Sequence, residues 1–155
     1  IATASNDDDR AACENVGAQH IVNHREPDWH AQVLEATGGD AVDRVIDVEF
    51  GANLPEVLEC IRTSGTIATY SSTQVPEPSL PFFRMMYLDL NLRFVIVYAM
   101  PEAAKAAAIE DMTDALRTNA LEHRIAATLP LDDIAAAHEL IESGDVRGCV
   151  VIDTR

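Results

Sequence analysis

The sequence predicts an α/β fold in which helices flank a parallel β-sheet, and two observations carry this prediction. Short apolar strands, capped helices and glycine stops follow one another in a repeated order, which is typical of βαβ units. The connectors between these segments are short as far as residue 70, as such units require. With 155 residues and 48% hydrophobic content, the chain can bury one sizeable core, and two independent domains are not expected.

The first strand–helix pair begins at once. A short apolar strand is expected at Ile1–Ala4, with no methionine before it, so the chain reads as if it starts inside a larger domain. Ser5 and Asn6 can cap a helix whose first turn is acidic, and Gly17 can end it. We therefore expect a helix over Asp7–Val16, with a small apolar face.

The second unit has the same order. A strand is expected at His20–Asn23, and Pro27 and Asp28 then open a helix. Its inward face holds three apolar residues, and two glycines stop it. The face and the stop are Trp29, Val33, Ala36 and Gly38-Gly39.

The third unit carries the clearest amphipathic pattern. After a strand at Arg44–Val48, apolar residues recur at the i, i+3, i+4 and i+7 spacing of a helix, with Pro55 in its first turn. The helix is expected to end at Thr63–Gly65, and a strand to follow at Thr66–Tyr70. The apolar positions are Leu54, Val57, Leu58 and Ile61.

The alternation is then interrupted. Residues 71–81 contain three prolines and predict an extended surface loop, followed by a short apolar helix at Phe82–Leu88. Residues Leu92–Tyr98 form the most β-like segment of the chain. Pro101 opens an alanine-rich helix to about Leu116. The expected inward face of this helix is Ala104, Ala108, Met112 and Ala115.

The C-terminal tail resumes the alternation. We expect a strand at Ile125–Thr128, a helix at Asp132–Ser143 and a strand at Cys149–Asp153.

Composition narrows the function classes. The net charge of −15 repels nucleic acid and anionic membranes, and no apolar run approaches the length of a membrane span. The three cysteines are far apart in sequence, with no Cys-x-x-Cys or Cys/His cluster that would predict a zinc site. We expect all three cysteines to be buried free thiols in a protein of the reducing cytoplasm.

Several segments together resemble one family, in order and in spacing, over essentially the whole chain. They are residues 16–26 (VGAQHIVNHRE), 37–39 (TGG), 45–54 (VIDVEFGANL), 64–72 (SGTIATYSS) and 136–144 (AAHELIESG). The sequence is similar to the zinc-free, zeta-crystallin-like NADPH:quinone reductases of the medium-chain dehydrogenase/reductase superfamily. The resemblance is specific for the superfamily and weaker for the substrate.

The resemblance implies a Rossmann-like domain over residues 1–119 and a segment, residues 120–155, that packs on a catalytic domain preceding it. The first strand and the glycine-rich loop of the Rossmann-like domain would lie upstream of Ile1. In the strand order 3-2-1-4-5-6 the first strand is central, so a gap in the sheet is expected. The implied activity is hydride transfer from NADPH to a quinone or similar electrophile, with the isolated chain inactive.

Cofactor contacts are expected first at the adenosine end. The residue at the end of the second Rossmann strand reads the ribose, and a carboxylate there favours NAD. Here Ala4 and Ser5 are small and neutral, which favours NADP, although three aspartates follow. Arg10 is the nearby cation, and His24 stands where relatives often have a tyrosine near the adenosine phosphate. A helix-capping role for Ser5 and a merely solvated His24 remain the alternatives.

At the nicotinamide end, Tyr70 and Ser71 end one strand and Val97 and Tyr98 the next. Relatives have glycine where Ser71 stands, so its hydroxymethyl group would shift the ring or weaken binding. Val97 would offer backbone groups to the carboxamide. Glu49 either lines the cleft or is a solvated loop acid. No catalytic side chain and no metal ligand set is expected, because His30, His123 and His138 have no second ligand at useful sequence spacing.

Three hypotheses remain open. The first is the quinone reductase, and the second is an alcohol dehydrogenase or enoyl reductase of the same superfamily. The third is a catalytically silent dimerisation module. A homodimer is expected in any case, because the apolar segment Leu92–Val97 lies at a sheet edge in the expected strand order and can pair with its own copy.

Overall fold

The computed structural model describes residues 1–155 as two compact units, Ile1–Pro101 and Glu102–Arg155. Every strand pairing in both units is parallel, and helices connect the strands, so the predicted α/β class is confirmed. The expected boundary after residue 119 stays a prediction, because it concerns packing against a separate catalytic domain. None of the helices combines the length and the apolar character needed to cross a membrane.

The first unit alternates strands and helices. Its elements are β1 (Ala2–Thr3), α1 (Asp7–Asn15), β2 (Ile21–Val22), α2 (Trp29–Ala36), β3 (Val42–Asp47), α3 (Phe50–Cys60), β4 (Ile61–Thr69), α4 (Phe82–Tyr87) and β5 (Asn91–Phe94), followed by a 3₁₀ turn at Val97–Ala99. The second unit contains α5 (Glu102–Arg117), β6 (Ile125–Pro130), a 3₁₀ turn at Leu131–Asp133, α6 (Ile134–Glu142) and β7 (Cys149–Asp153).

The strands of the first unit form two separate sheets. β1 pairs with β2, and β3, β4 and β5 form a three-stranded sheet in that order. Neither β1 nor β3 has a partner on its other side. In the Rossmann strand order 3-2-1-4-5-6, β2 and β1 correspond to strands 3 and 2, and β3, β4 and β5 correspond to strands 4, 5 and 6. The expected gap is therefore present where strand 1 would stand.

The core of the first unit lies between α2, α3 and the three-stranded sheet. Trp29 and Val33 of α2 are buried as predicted, and so are the predicted apolar positions of α3. The sequence pattern succeeded here because each helix buries apolar residues against neighbouring elements, α2 against α3 and β2, and α3 against β3 and β4. The buried cluster is Val22, Trp29, Val33, Phe50, Leu54, Val57, Leu58, Cys60, Ile61 and Ile67.

The junction between α3 and β4 differs from the prediction. Helix α3 starts four residues earlier than its apolar pattern, at Phe50, so Pro55 lies inside the helix. Ile61 is buried, but it is the first residue of β4 and already extended. The expected stop around Ser64 is instead an irregularity within β4: Ser64 has φ 58°, and its N–H donates to the carbonyl of Leu88 at 2.8 Å.

Two further expectations, for the end of β5 and for the inward face of α5, are wrong. β5 ends at Phe94 rather than Tyr98, because the chain bends into the 3₁₀ turn that contains Val97. Helix α5 has no buried residue, and Met112 on its expected inward face is 51% exposed. Helix α1 also buries nothing. Its capping is as predicted, since the Asn6 side chain accepts the N–H of Asp9 at 2.8 Å.

The three cysteines are free thiols in different surroundings. Cys60 is buried, Cys13 is half-buried and Cys149 is exposed, so burial of all three was a wrong expectation. Burial raises the pKa of the Cys60 thiol to about 11, and the nearby carboxylates of Glu56 and Glu59 add to the rise. The thiolate is the reactive form, so Cys60 is an unreactive core residue.

We therefore predict a clear order of alkylation. Iodoacetamide at pH 8 should label Cys149 in the native protein and leave Cys60 unlabelled, because Cys60 is both buried and protonated. Peptide mass spectrometry after timed quenching measures this, and addition of urea should make Cys60 reactive. Native labelling of Cys60 as fast as Cys149 would contradict the buried position of this side chain.

Candidate functional site

An open pocket of about 530 Å³ lies at the carboxyl ends of β4 and β5. In open α/β sheets, ligands bind in crevices outside the carboxyl ends of parallel strands. The pocket therefore occupies the position where this class of fold places a ligand. Its lining residues are Phe50, Thr69, Tyr70, Ser71, Ser72, Pro76, Pro78, Leu80, Phe94, Val95 and Ile96, none of which is charged.

Two aromatic side chains form the floor of the pocket. Phe50 and Phe94 meet edge to face, with ring centroids 5.9 Å apart and an interplanar angle of 76°. Phe50 opens α3 and is 2% exposed, whereas Phe94 ends β5 and is 66% exposed. This contact joins the start of α3 to the edge strand β5.

The segment that leaves β4 is held by hydrogen bonds to its backbone. The carbonyl of Ser71 accepts the N–H of Phe50 at 3.0 Å and the hydroxyl of Thr69 at 3.2 Å. The Ser71 hydroxyl lies 3.1 Å from that of Thr73. Ser71 is therefore held in place by its backbone, and it is one of four hydroxyl-bearing residues in the pocket lining, with Thr69, Tyr70 and Ser72.

The proline-rich loop forms the second wall, and Glu49 anchors it. The two carboxylate oxygens of Glu49 accept the backbone N–H groups of Thr73 and Gln74, each at 2.9 Å. The Ser72 hydroxyl accepts the N–H of Gly51 at 2.9 Å and donates to the carbonyl of Val75 at 2.6 Å. Glu49 is thus neither a free loop acid nor a pocket residue, because it clamps the loop over the start of α3.

Gly51 makes this close approach of the loop possible. A Cβ atom at this position would lie 2.7 Å from Cβ of Val75 and 2.8 Å from the hydroxyl of Ser72, and it would also collide with the Val75 carbonyl. Any larger residue must push the loop away from α3. The shape of the pocket therefore depends on a glycine outside its lining.

Asp47 ends β3 directly below this region and is only 4% exposed. One carboxylate oxygen accepts the N–H of Glu49 at 2.8 Å and the side-chain amide of Asn53 at 2.9 Å. Its other oxygen is buried without a hydrogen-bond partner. Asp47 orients the turn that carries Glu49, and so it supports the loop anchor indirectly.

The structure brings together only part of the predicted cofactor site. Tyr70 and Ser71 line the pocket, whereas Val97 does not, since it lies in the 3₁₀ turn with its carbonyl accepting the N–H of Met100 at 3.3 Å. The adenosine-end residues lie near the separate β1–β2 sheet. Ser5 is half-buried, and the guanidinium of Arg10 donates to the carbonyl of Ile21 at 3.3 Å. His24 is exposed.

Four residues that build the site were not singled out for these roles from the sequence. Phe50 and Phe94 are 44 positions apart in the chain, so nothing local indicates their contact. A carboxylate at the end of an apolar strand is the signal that could have found Asp47. The anchoring role of Glu49 depends on loop geometry that has no sequence pattern.

Comparison with known proteins places these features in a family. Residues 16–152 match the family described as zinc-binding dehydrogenase. The 2-haloacrylate reductase of Burkholderia sp is 27% identical over 98% of this chain, and the chain spans 47% of that protein.

Two solved structures share the fold. An NAD-dependent alcohol dehydrogenase has a TM-score of 0.84 and 26% identity, covering 99% of this chain and 43% of its own. A mycobacterial quinone oxidoreductase has a TM-score of 0.87 and 22% identity, and the match covers 98% of this chain and 48% of that protein. Since the family match at residues 16–152 covers most of this chain, the chain belongs to the zinc-binding dehydrogenases of the medium-chain dehydrogenase/reductase superfamily.

Proposed function

We propose that the chain is the cofactor-binding part of an NADPH-dependent oxidoreductase that passes hydride to a quinone or a similar electrophile. The pocket at the carboxyl ends of β4 and β5 is the observation that carries this proposal. A pocket with an uncharged lining and an aromatic floor suits a planar ring, and Tyr70 and Ser71 border it. Solved structures of a mycobacterial protein and of CurA from Vibrio vulnificus, both similar in fold, hold NADPH.

In this proposal the chain orients the cofactor and excludes water. NADPH supplies a hydride, and with one proton from solvent it converts a quinone to the hydroquinone. Phe50, Phe94 and the proline-rich loop would enclose one side of the ring, and the Ser71 hydroxyl, which lies 3.1 Å from that of Thr73, would be the side-chain group beside its carboxamide. No side chain of this chain needs to exchange a proton with the acceptor, since alignment of two rings supplies most of the catalysis.

The preference for NADPH over NADH rests on the end of β1. Ala4 and Ser5 place no carboxylate there, and the carboxylate of Asp9 accepts the side-chain amide of Asn6 at 2.7 Å. Calorimetric titration of the chain with both nucleotides tests this preference. We expect weak binding that favours NADPH, because no strand and following helix N-terminus lie between β1 and β3 to hold the pyrophosphate. Tighter binding of NADH would contradict the assignment of Ser5 and Arg10.

Zinc has no part in this proposal. The cysteines lie on α1, α3 and β7, and the one cluster of three metal-ligating side chains in the structure contains none of them. The fold therefore does not bring these cysteines together into a zinc centre. Its free thiols support the expectation of a reducing, cytoplasmic environment.

Reduction of an activated carbon–carbon double bond is the second candidate activity. The 27% identity to 2-haloacrylate reductase over nearly the whole chain favours it. NADPH consumption should be assayed with benzoquinone and with 2-chloroacrylate, using the product of the whole reading frame that contains this chain and the chain alone. We expect faster quinone reduction by the larger protein and no turnover by the chain alone. Faster reduction of 2-chloroacrylate would favour the second candidate.

No turnover by the larger protein with either acceptor would favour the alcohol dehydrogenase or the silent dimerisation module. Turnover by the chain alone at ordinary enzyme rates, about 1–1000 per second, would contradict the proposal that it is only the cofactor-binding part.

A homodimer through the open edge of β5 is predicted as well. The N–H of Val95 donates to Thr69 of β4, so in an extended chain the N–H groups of Phe94 and Ile96 face away from β4. Ile96 is 57% exposed. Ile96→Lys should place two like charges near a two-fold axis and release monomers, as measured by light scattering during gel filtration.

The other edge of the same sheet supplies a matched control. Ile46 on β3 is 82% exposed, so Ile46→Lys should leave the dimer intact. A monomeric unmodified chain at its highest soluble concentration would contradict edge pairing. Dissociation by Ile46→Lys alone would contradict the choice of edge.

A further inference from the structure

A cluster of metal-ligating side chains lies outside the pocket, where α2 packs against α3. Ligand atoms of Asp28, His30 and Glu56 all lie within 4.8 Å of one another. Nδ1 of His30 is 2.7 Å from Oε2 of Glu56. Sequence spacing does not indicate this group, because Glu56 is 26 positions from His30. The expectation that His30 has no second ligand considered only neighbours in sequence, whereas the fold brings Asp28 and Glu56 to it.

Buried neighbours fix the positions of all three residues. Asp28 and His30 flank Trp29, which is 8% exposed, and Glu56 precedes Val57, which is 1% exposed. Trp29 and Val57 belong to the same hydrophobic cluster. The core therefore holds the backbone at each ligand, and the exposed side chain of Asp28 is the one that an ion would have to order.

The side chain of Asp28 does not cap helix α2. It stands immediately before α2, where an aspartate normally caps the helix by accepting a backbone N–H. Its side chain makes no such hydrogen bond, and its φ is 55°. The carboxylate instead lies beside His30 and Glu56. A hydrogen bond between His30 and Glu56 explains two members of the cluster but not the third.

The charge of the cluster also favours a cation. Two carboxylates and one imidazole meet in a space a few ångströms wide, and Glu56 pairs with His30 rather than with an arginine or lysine. The side chains of His30 and Glu56 are only 23% and 28% exposed, so water screens them incompletely. A divalent ion would neutralise both carboxylates.

We propose that Asp28, His30 and Glu56 bind a divalent first-row transition-metal ion, with Zn²⁺ as the representative case. One nitrogen and two oxygen ligands suit zinc and its neighbours, whereas Mg²⁺ and Ca²⁺ prefer oxygen alone. Tetrahedral ligands about 2.0 Å from zinc lie about 3.3 Å apart, so His30 and Glu56 need to separate only slightly. The ion takes the place of a proton on Nδ1: in a neutral imidazole that proton moves to Nε2, and an imidazolium, which already carries a proton on Nε2, releases its Nδ1 proton to solvent.

Calorimetric titration of the untagged chain with ZnCl₂, and with MgCl₂ for comparison, tests the site. We expect one equivalent of Zn²⁺ to bind and Mg²⁺ not to compete. Asp28→Asn changes an exposed side chain without changing its shape, so it should fold normally. Since loss of an outer-shell partner already costs about 10–100-fold in metal affinity, Asp28→Asn and His30→Ala should each weaken binding at least about tenfold. His24→Ala, a change at an exposed histidine outside the cluster, should not.

A spectroscopic arm separates this site from zinc bound by a thiol. Co²⁺ in place of Zn²⁺ should give visible absorption without the near-ultraviolet charge-transfer band of thiolate ligands, and Cys149→Ser should leave the spectrum unchanged. A thiolate band, absence of Zn²⁺ binding, or equal affinity of the Asp28→Asn variant would each overturn the assignment. These outcomes do not depend on hydride transfer, so they are independent of the proposed function.

Discussion

Replacement of Ile67 by alanine should lower the free energy of unfolding by about 2–5 kcal/mol, the largest effect that we expect from a single substitution. Ile67 lies in β4, the middle strand of the three-stranded sheet, and is 1% exposed. Truncation leaves a cavity between this sheet and the helices that cover it, where the surrounding side chains are already packed. Urea denaturation followed by circular dichroism measures the change.

The same substitution on the neighbouring strand is a matched control. Ile46 on β3 is 82% exposed, so Ile46→Ala should cost less than about 1 kcal/mol. Equal costs at the two positions would mean that the buried face of the sheet has been assigned incorrectly. A small cost at both would mean that the core of the first unit is not well packed.

Gly51→Ala should destabilise the protein by about 1–3 kcal/mol through overpacking. The sign of the change in the free energy of unfolding is informative, because replacing glycine by alanine inside a helix ordinarily stabilises a protein by about 0.5–1 kcal/mol. Here the added Cβ would lie 2.7 Å from Cβ of Val75, so the loop must move away from α3. The displacement should also disturb the Glu49 contacts with Thr73 and Gln74 and widen the pocket.

Hydrogen exchange measures the loop directly. The amides of Thr73 and Gln74 should exchange faster in Gly51→Ala, and Glu49→Gln should speed the same two amides without the steric clash. Stabilisation by Gly51→Ala, with unchanged exchange at both amides, would show that the loop does not rest on the start of α3.

The parts of the fold that followed from sequence are those with a local physical cause. Asn6 caps α1 as its side chain predicts, and the boundaries of β7 agree with the expected Cys149–Asp153. The apolar face of α3 was recognisable because burial on a sheet imposes a helical period. The gap between β1 and β3 followed from the family's strand order rather than from any residue pattern.

The remaining errors come from contacts that sequence does not display. Ile61 fits a helical pattern, yet it begins a strand because β4 pairs with Val42 at that point. The β-like segment after Phe94 bends into a 3₁₀ turn beyond its last partner on β4. The apolar face of α5 predicted burial that this chain does not provide.

The candidate site was predictable only at its strand ends. Tyr70 and Ser71 follow β4, and the rule that ligands bind at carboxyl ends of parallel strands points to them. The aromatic floor, the Glu49 clamp and the Asp28–His30–Glu56 cluster all join residues more than 20 positions apart. Such contacts depend on how helices and loops pack over the sheet.

The central claim, that the pocket beyond β4 and β5 receives the nicotinamide of NADPH, is tested most directly by nuclear magnetic resonance. Titration of the ¹⁵N-labelled chain with reduced nicotinamide mononucleotide should shift the amide signals of Tyr70, Ser71 and Ile96. Adenosine 2′,5′-bisphosphate should instead shift signals near Ser5, Arg10 and His24. Unchanged pocket signals at saturating mononucleotide, or shifts confined to other surfaces, would contradict the account.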